Sequence, residues 1–135
     1  MGIGYTWRGP FDSAEVEVLH ANGFGSAPAS SFDWRAQAER HSLGWVCARL
    51  SGKLVGWVNI AWDGSSHAFI LDTVVAKELQ RQGVGAALVA EAARGAAAAG
   101  CRWMHVDFEE HLSGFYLGAC GFRPTKAGLL KLQAE

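Results

Sequence analysis

The chain has 135 residues, 50% of them hydrophobic and 19% charged, with 12 Lys+Arg against 13 Asp+Glu and a formal charge of −1. That length suits one domain spanning residues 1–135, with a core that buries roughly two-thirds of the unfolded surface. The charge balance lacks the basic footprint of a nucleic-acid binder, and no apolar run reaches the ~18–20 residues of a membrane span.

The opening Met1-Gly2-Ile3-Gly4-Tyr5-Thr6-Trp7-Arg8 has no secretory apolar region. Cys47, Cys101 and Cys120 form an odd set without C-x-x-C spacing, so a reduced, cytoplasmic protein without a disulfide framework is expected.

Residues 3–7 suit a short strand ended by Pro10. Asp12 and Glu15 have capping-box spacing for a helix carrying Val16, Leu19 and His20, which Gly23 and Gly25 are expected to stop. After the small-residue loop 26–30, Ser30 and Asp33 repeat the capping spacing. They predict a helix over 32–40 with Trp34 and Ala38 on one face. The period then changes. Residues 45–50, 54–62 and 67–75 are β-rich runs joined by Ser51-Gly52-Lys53 and Asp63-Gly64-Ser65-Ser66, which reads as an antiparallel meander. An Ala-rich helix over 85–99 follows, then a strand over 103–108, and this connection implies a parallel pair. A last helix over 112–119 and a short final strand over 128–132 complete the reading.

Chemistry concentrates where the third meander strand meets the Ala-rich helix, at Val75-Ala76-Lys77-Glu78-Leu79-Gln80-Arg81-Gln82-Gly83-Val84-Gly85-Ala86. A helix that opens on glycines offers free N–H groups and a positive dipole end to an anion. The P-loop template fails because no Gly-Lys-Ser/Thr opens the helix. The dinucleotide fingerprint starts at Gly83-Val84-Gly85, but Leu88 stands where it wants Gly or Ala. The histidines show no H-x-x-x-H pair and no metal-spaced carboxylates accompany them, so no metal is expected.

The segment Gln80-Arg81-Gln82-Gly83-Val84-Gly85 resembles the Q/R-x-x-G-x-G/A acetyl-CoA signature of the GCN5-related N-acetyltransferase (GNAT) family. Phe115-Tyr116 followed by Cys120-Gly121-Phe122 resembles that family's later F-Y…G-F motif, and the tail Arg123-Pro124-Thr125 is similar to that of small bacterial members. The order of elements matches the family over nearly the whole chain. The resemblance implies an α/β (α+β) fold with a mixed, mostly antiparallel central sheet and helices on both faces. It also implies an acetyl-CoA-dependent N-acetyltransferase, in which a primary amine attacks the thioester directly through a tetrahedral intermediate.

Residue by residue, the resemblance places acetyl-CoA on Val74, Val75, Gln80, Arg81, Gln82, Gly83, Val84, Gly85 and Ala86, with its pantetheine lying beside residues 73–75 like an added strand. The Val75 N–H becomes an oxyanion donor, Tyr116 the acid for the leaving thiolate, and Asp72 the base for the amine. Strand alternation puts Asp72 on the face opposite Val75 and the same as Val74. Glu109, Glu110, His67, His105 and His111 are further base candidates, and Arg81, Arg123 and Lys126 are candidates for the phosphates. Four residues, Leu117 to Cys120, separate Tyr116 from Gly121, where the family usually has three. Counting back from Gly121 puts Leu117 in the acid's slot; a bulge at Gly118 keeps Tyr116 there.

Trp34 and Trp62 are candidates for an acceptor pocket or a dimer face. The expected partner is a small-molecule or peptide amine, with a homodimer as a further expectation. The competing reading is a non-catalytic acyl-CoA-binding or protein-interaction module on the same scaffold.

Overall fold

The computed structural model describes residues 2–25 and 32–133; the loop 26–30 and the Ser30 cap lie outside them. The elements run β1 (Gly4–Trp7), α1 (Ser13–Phe24), α2 (Trp34–His41), β2 (Ser42–Leu50), β3 (Lys53–Trp62), β4 (His67–Val75), α3 (Val84–Ala98) and β5 (Trp103–Val106). Single 3-10 turns follow β4 at Lys77–Leu79 and β5 at Glu110–Leu112, and a π-helical turn spans Gly114–Ala119. The sheet has the order β1-β2-β3-β4-β5, with every pair antiparallel except β4 and β5.

Helices cover both faces, as alternation along β3 requires. Gly56 looks toward Leu88 and Val84 of α3. Its neighbour Trp57, fully buried, looks the other way and packs its ring 5.3 Å from Phe11 and 5.8 Å from Trp34. One continuous core joins Trp57, Ile60, Val46, Val58, Val16 and Leu88. Each such side chain contributes on the order of 1.5–3 kcal/mol by burial.

Polar pins orient α1 and α2. The Asp12 N–H donates to Glu15 Oε1 at 3.0 Å. The same carboxylate takes two bonds from the Arg49 guanidinium, at 2.8 and 2.9 Å, which tie the start of α1 to β2. Asp33 caps α2 by accepting from the Ala36 N–H, and the Ser13 hydroxyl donates to Asp33. Gly25, at φ 72°, ends α1. Gly23 does not stop the helix: it packs α1 onto β4, and a Cβ there would lie 2.9 Å from the Val75 carbonyl oxygen.

The C-terminal third departs from expectation. The fifth strand stops at Val106, and the last helix is a 3-10 turn followed by a π turn. No strand forms over 128–132. A strand needs an edge to accept its backbone, and β5 has only four paired residues. Leu129, Leu130 and Leu132 instead stand more than 80% exposed. No helix among the described residues is long and apolar enough to cross a membrane.

Candidate functional site

The site is built on the C-terminal half of β4. From Ala68 to Ile70 that strand is paired on both sides, the β5 side ending at Ile70↔Val106. Beyond Ile70 only β3 stays with it, as far as Gly56↔Val75, so one edge of residues 71–75 opens onto a gap. The Ala76 N–H donates to the Val55 carbonyl at 2.8 Å. Donor directions alternate along a strand, which turns the Val75 N–H and C=O away from β3 and into the gap. The Val75 carbonyl accepts the Gln80 side-chain amide there at 3.0 Å.

The loop into α3 closes one end of that gap. Arg81 and Gly83 adopt left-handed backbone, φ 65° and 87°, a pattern that turns successive N–H groups inward to form an anion-binding concavity. The Ala87 N–H closes the first helical bond onto Gly83. The N–H groups of Val84, Gly85 and Ala86 precede it, in the part of a helix that has no partners of its own. Gly85 is small for a reason: a Cβ there would meet the Phe115 ring at 3.0 Å. Two expected ligand residues spend their side chains on the loop itself. Gln80 donates to the carbonyls of Val75 and Gly23, and Gln82 donates to that of Glu78.

A bulge in β4 shapes one side of the gap. Val74 pairs with Trp57 but Leu71 pairs with Asn59, so Asp72 and Thr73 both oppose Val58. Asp72 takes up the extra residue at φ 55°, a region that Asp tolerates better than most side chains. The bulge puts two consecutive side chains, Leu71 and Asp72, on the α1 face. There Asn59, buried and accepting from the Ser42 hydroxyl, hydrogen-bonds the Asp72 carboxyl. Desolvation raises the Asp72 carboxyl above its ordinary value, against the pull of His20 and Asn59. Its outer surface remains exposed.

Thr73 and Tyr116 meet on the opposite face. The buried Tyr116 places its hydroxyl 3.4 Å from Thr73 Oγ1 and stacks on Phe108 at 5.0 Å. Burial raises its phenol, which keeps the proton on oxygen, while the bond to Thr73 lowers it. The four-residue spacing to Gly121 is absorbed by the π turn, in which the Cys120 N–H reaches back five residues to the Phe115 carbonyl. Tyr116, not Leu117, reaches β4. The Tyr116 phenol and the Asp72 carboxyl thus lie on opposite faces of the sheet.

The remaining candidates lie apart. His67 and His105 pair with each other at 2.8 Å, on the first residue of β4 and roughly 26 Å of extended strand from Val75. His111 pairs with Glu109, and the Arg123 guanidinium lies over the Trp103 ring. Trp62 closes β3, while Trp34 stacks on His20. Burial pushes the Cys47 thiol up to about 12, too high for a nucleophile. No group of three or more metal-ligating side chains occurs among the described residues. A 490 Å³ cavity at the β1–α1 corner holds none of the expected residues, and its Arg49 and Arg35 are paired with Glu15 and Asp12.

Sequence reasoning passed over His20. Its imidazole stacks on Trp34 at 4.5 Å and stands edge-on to Trp57; burial lowers its pKa, and the charge of Asp72 works the other way. Its position four residues after Val16 on the inner face of α1 reads simply as core; only the folded chain sets it opposite β4.

Comparison with known proteins agrees with this geometry. The family model described as "Acetyltransferase (GNAT) family" matches residues 11–122. No curated protein matches the chain. Among solved structures, a GNAT family acetyltransferase from Streptococcus pneumoniae is 24% identical with a TM-score of 0.76, covering 99% of this chain and 100% of that one. An acetyltransferase from Trypanosoma brucei is 20% identical with a TM-score of 0.78, over 97% and 100%. AAC(6')-Iy, in complex with a bisubstrate analogue, CoA-S-monomethyl-acetylneamine, is 17% identical with a TM-score of 0.70, over 99% of both chains. With the family model spanning most of its length and its gap, loop and sheet order in place, the chain belongs to the GNAT acetyltransferase family.

Proposed function

We propose that this protein is an N-acetyltransferase that moves the acetyl group of acetyl-CoA to a primary amine. The observation that carries the reading is the unpaired edge of β4 from Leu71 to Val75, open between an anion-binding loop and the Tyr116 hydroxyl. Acetyl-CoA fits this framework: the N–H groups of Val84, Gly85 and Ala86 suit a diphosphate, and at Gly83 beside them a Cβ would meet nothing within 4 Å, so the loop is open there. When bound it supplies an activated acyl thioester.

The chain's own groups do the rest. The Val75 N–H stabilises negative charge on the acyl oxygen as it develops. Tyr116 holds a proton for the leaving sulfur, and its raised phenol keeps that proton available at neutral pH. Asp72 accepts a proton from the amine, which is protonated in water near pH 7. The high Cys47 thiol favours direct attack over an acyl-cysteine step. The AAC(6')-Iy neighbour is in complex with CoA-S-monomethyl-acetylneamine, a bisubstrate analogue that carries CoA. Three free cysteines suit a reducing, cytoplasmic setting.

The experiment is a calorimetric titration with acetyl-CoA and CoA, followed by a panel of amines with thiol release as the readout. Heat on titration and release with at least one amine are expected. Absence of both overturns the reading; binding without release marks a non-catalytic acyl-CoA module.

A further inference from the structure

We propose that two copies of this chain pair by exchanging their C-terminal segments: residues 128–132 of each copy add as a strand to the free edge of β5 in the other. A sheet edge and a strand-like segment are both left without a strand partner in the single chain.

The edge is unguarded. β5 is the last strand of the sheet, and its pairing with β4 uses one side only. Exposed edges are commonly protected by Lys, Pro or a bulge. Trp103-Met104-His105-Val106 carries no Lys or Pro and pairs without a register shift. The core face of the sheet also stops short there. Met104 and Val106 lie beside Ala68 and Ile70. Those two are buried, whereas Met104 and Val106 are only partly buried, with no strand on their outer side.

The segment supplies what the edge lacks. Gly128-Leu129-Leu130-Lys131-Leu132 joins no sheet, and its three leucines stand more than 80% exposed. Strand alternation puts Leu130 and Leu132 on one face, with the same two-residue spacing as Met104 and Val106. Laid along β5, they continue that row and cover it. Charge points the same way. Residues 123–132 hold Arg123, Lys126 and Lys131 and no carboxylate, while residues 107–110, leaving β5, hold Asp107, Glu109 and Glu110 and no cation. A basic segment and an acidic flank steer two surfaces together.

Reach and symmetry allow the exchange. The Arg123 guanidinium lies over the Trp103 ring at 5.5 Å. The five Cα steps from there to Gly128 span up to roughly 17 Å when extended, enough to enter a neighbouring copy whose β5 faces this one. Each copy gives one segment and one edge, so two copies related by a two-fold satisfy both and leave no end open to a third.

The test is sedimentation velocity on the full chain across a wide range of concentration. A species of twice the 14.5 kDa chain mass is expected. The double variant Leu130→Asp with Leu132→Asp should raise its dissociation constant about 10²-fold or more. Both side chains stand in solvent in the single chain, so the variant keeps its fold. Hydrogen exchange then locates the contact. The outward-facing amides of residues 104–106 should exchange slowly in the dimer and quickly in the double variant. Dilution of the wild type should speed them in the same way, with no substitution made. A chain that stays monomeric throughout, or a dimer that the double variant leaves intact, overturns the proposal. So does a dimer lost in the variant with exchange at 104–106 unaltered, because the leucines then meet something other than β5. Slow exchange at 104–106 in a chain of single mass puts the segment on its own copy's edge and equally rejects the exchange.

Discussion

The two halves of β4 teach different lessons from one continuous strand. Ala68 to Ile70 is zipped to β3 and β5, and its Ala68 and Ile70 are buried. Leu71 to Val75 keeps one partner, carries a bulge, and exposes backbone donors to a gap. The first half is built for stability. The second leaves pairing incomplete, and that is the half on which the proposed chemistry rests.

Substitutions in each half should separate these roles. Ile70→Ala removes a side chain packed between Ile60 and Val106. It should cost about 2–5 kcal/mol in urea unfolding while acetyl-CoA affinity, measured at a temperature where the variant is folded, stays unchanged. In the open half, Val75→Pro deletes an N–H that no strand uses. Thiol release should fall about 10²–10³-fold, with the unfolding midpoint nearly kept. Tyr116→Phe removes the hydroxyl across the gap and should lower kcat about 10²-fold with little effect on acetyl-CoA binding; full retention of kcat would reassign the acid.

The smallest effect lies outside β4. Hydrogen bonds from Arg49 hold the Glu15 carboxyl below its ordinary value. A carboxyl depressed by folding adds stability that is complete above its unfolded value and lost as pH falls through its folded one. Glu15→Gln should therefore flatten part of the acid limb of stability below about pH 4.5 and leave turnover unchanged at neutral pH.

Much of this was legible in the residues. The turns at Ser51-Gly52 and Asp63-Gly64 mark the meander, Asp12 and Glu15 mark the start of α1, and Gly83-Val84-Gly85 marks the glycine-opened start of α3, because each is a local pattern with a local cause. What could not be read depends on distant partners. Nothing within residues 67–75 shows that Asp72 and Thr73 will both oppose Val58, since a bulge is a property of two strands. His20 has a helical neighbour pattern like any core residue, and its place over β3 and against Trp34 needs α1 laid across the sheet at Gly23. The π turn is invisible to helical periodicity, although the spacing from Tyr116 to Gly121 hinted at it. The run Gly128 to Leu132 has strand-like composition, but no sheet edge takes it up.

The bulge at Asp72 has a consequence for how such a chain tolerates insertions and deletions. Removing Asp72 would leave Thr73 alone opposite Val58 and keep the registers on either side, so Ile70 and Val75 would hold their faces. One added residue beside it would instead break the alternation. A one-residue deletion here would thus spare the packing and lose the carboxyl, because the irregularity is the joint that lets a well-packed sheet and an open edge share a single strand.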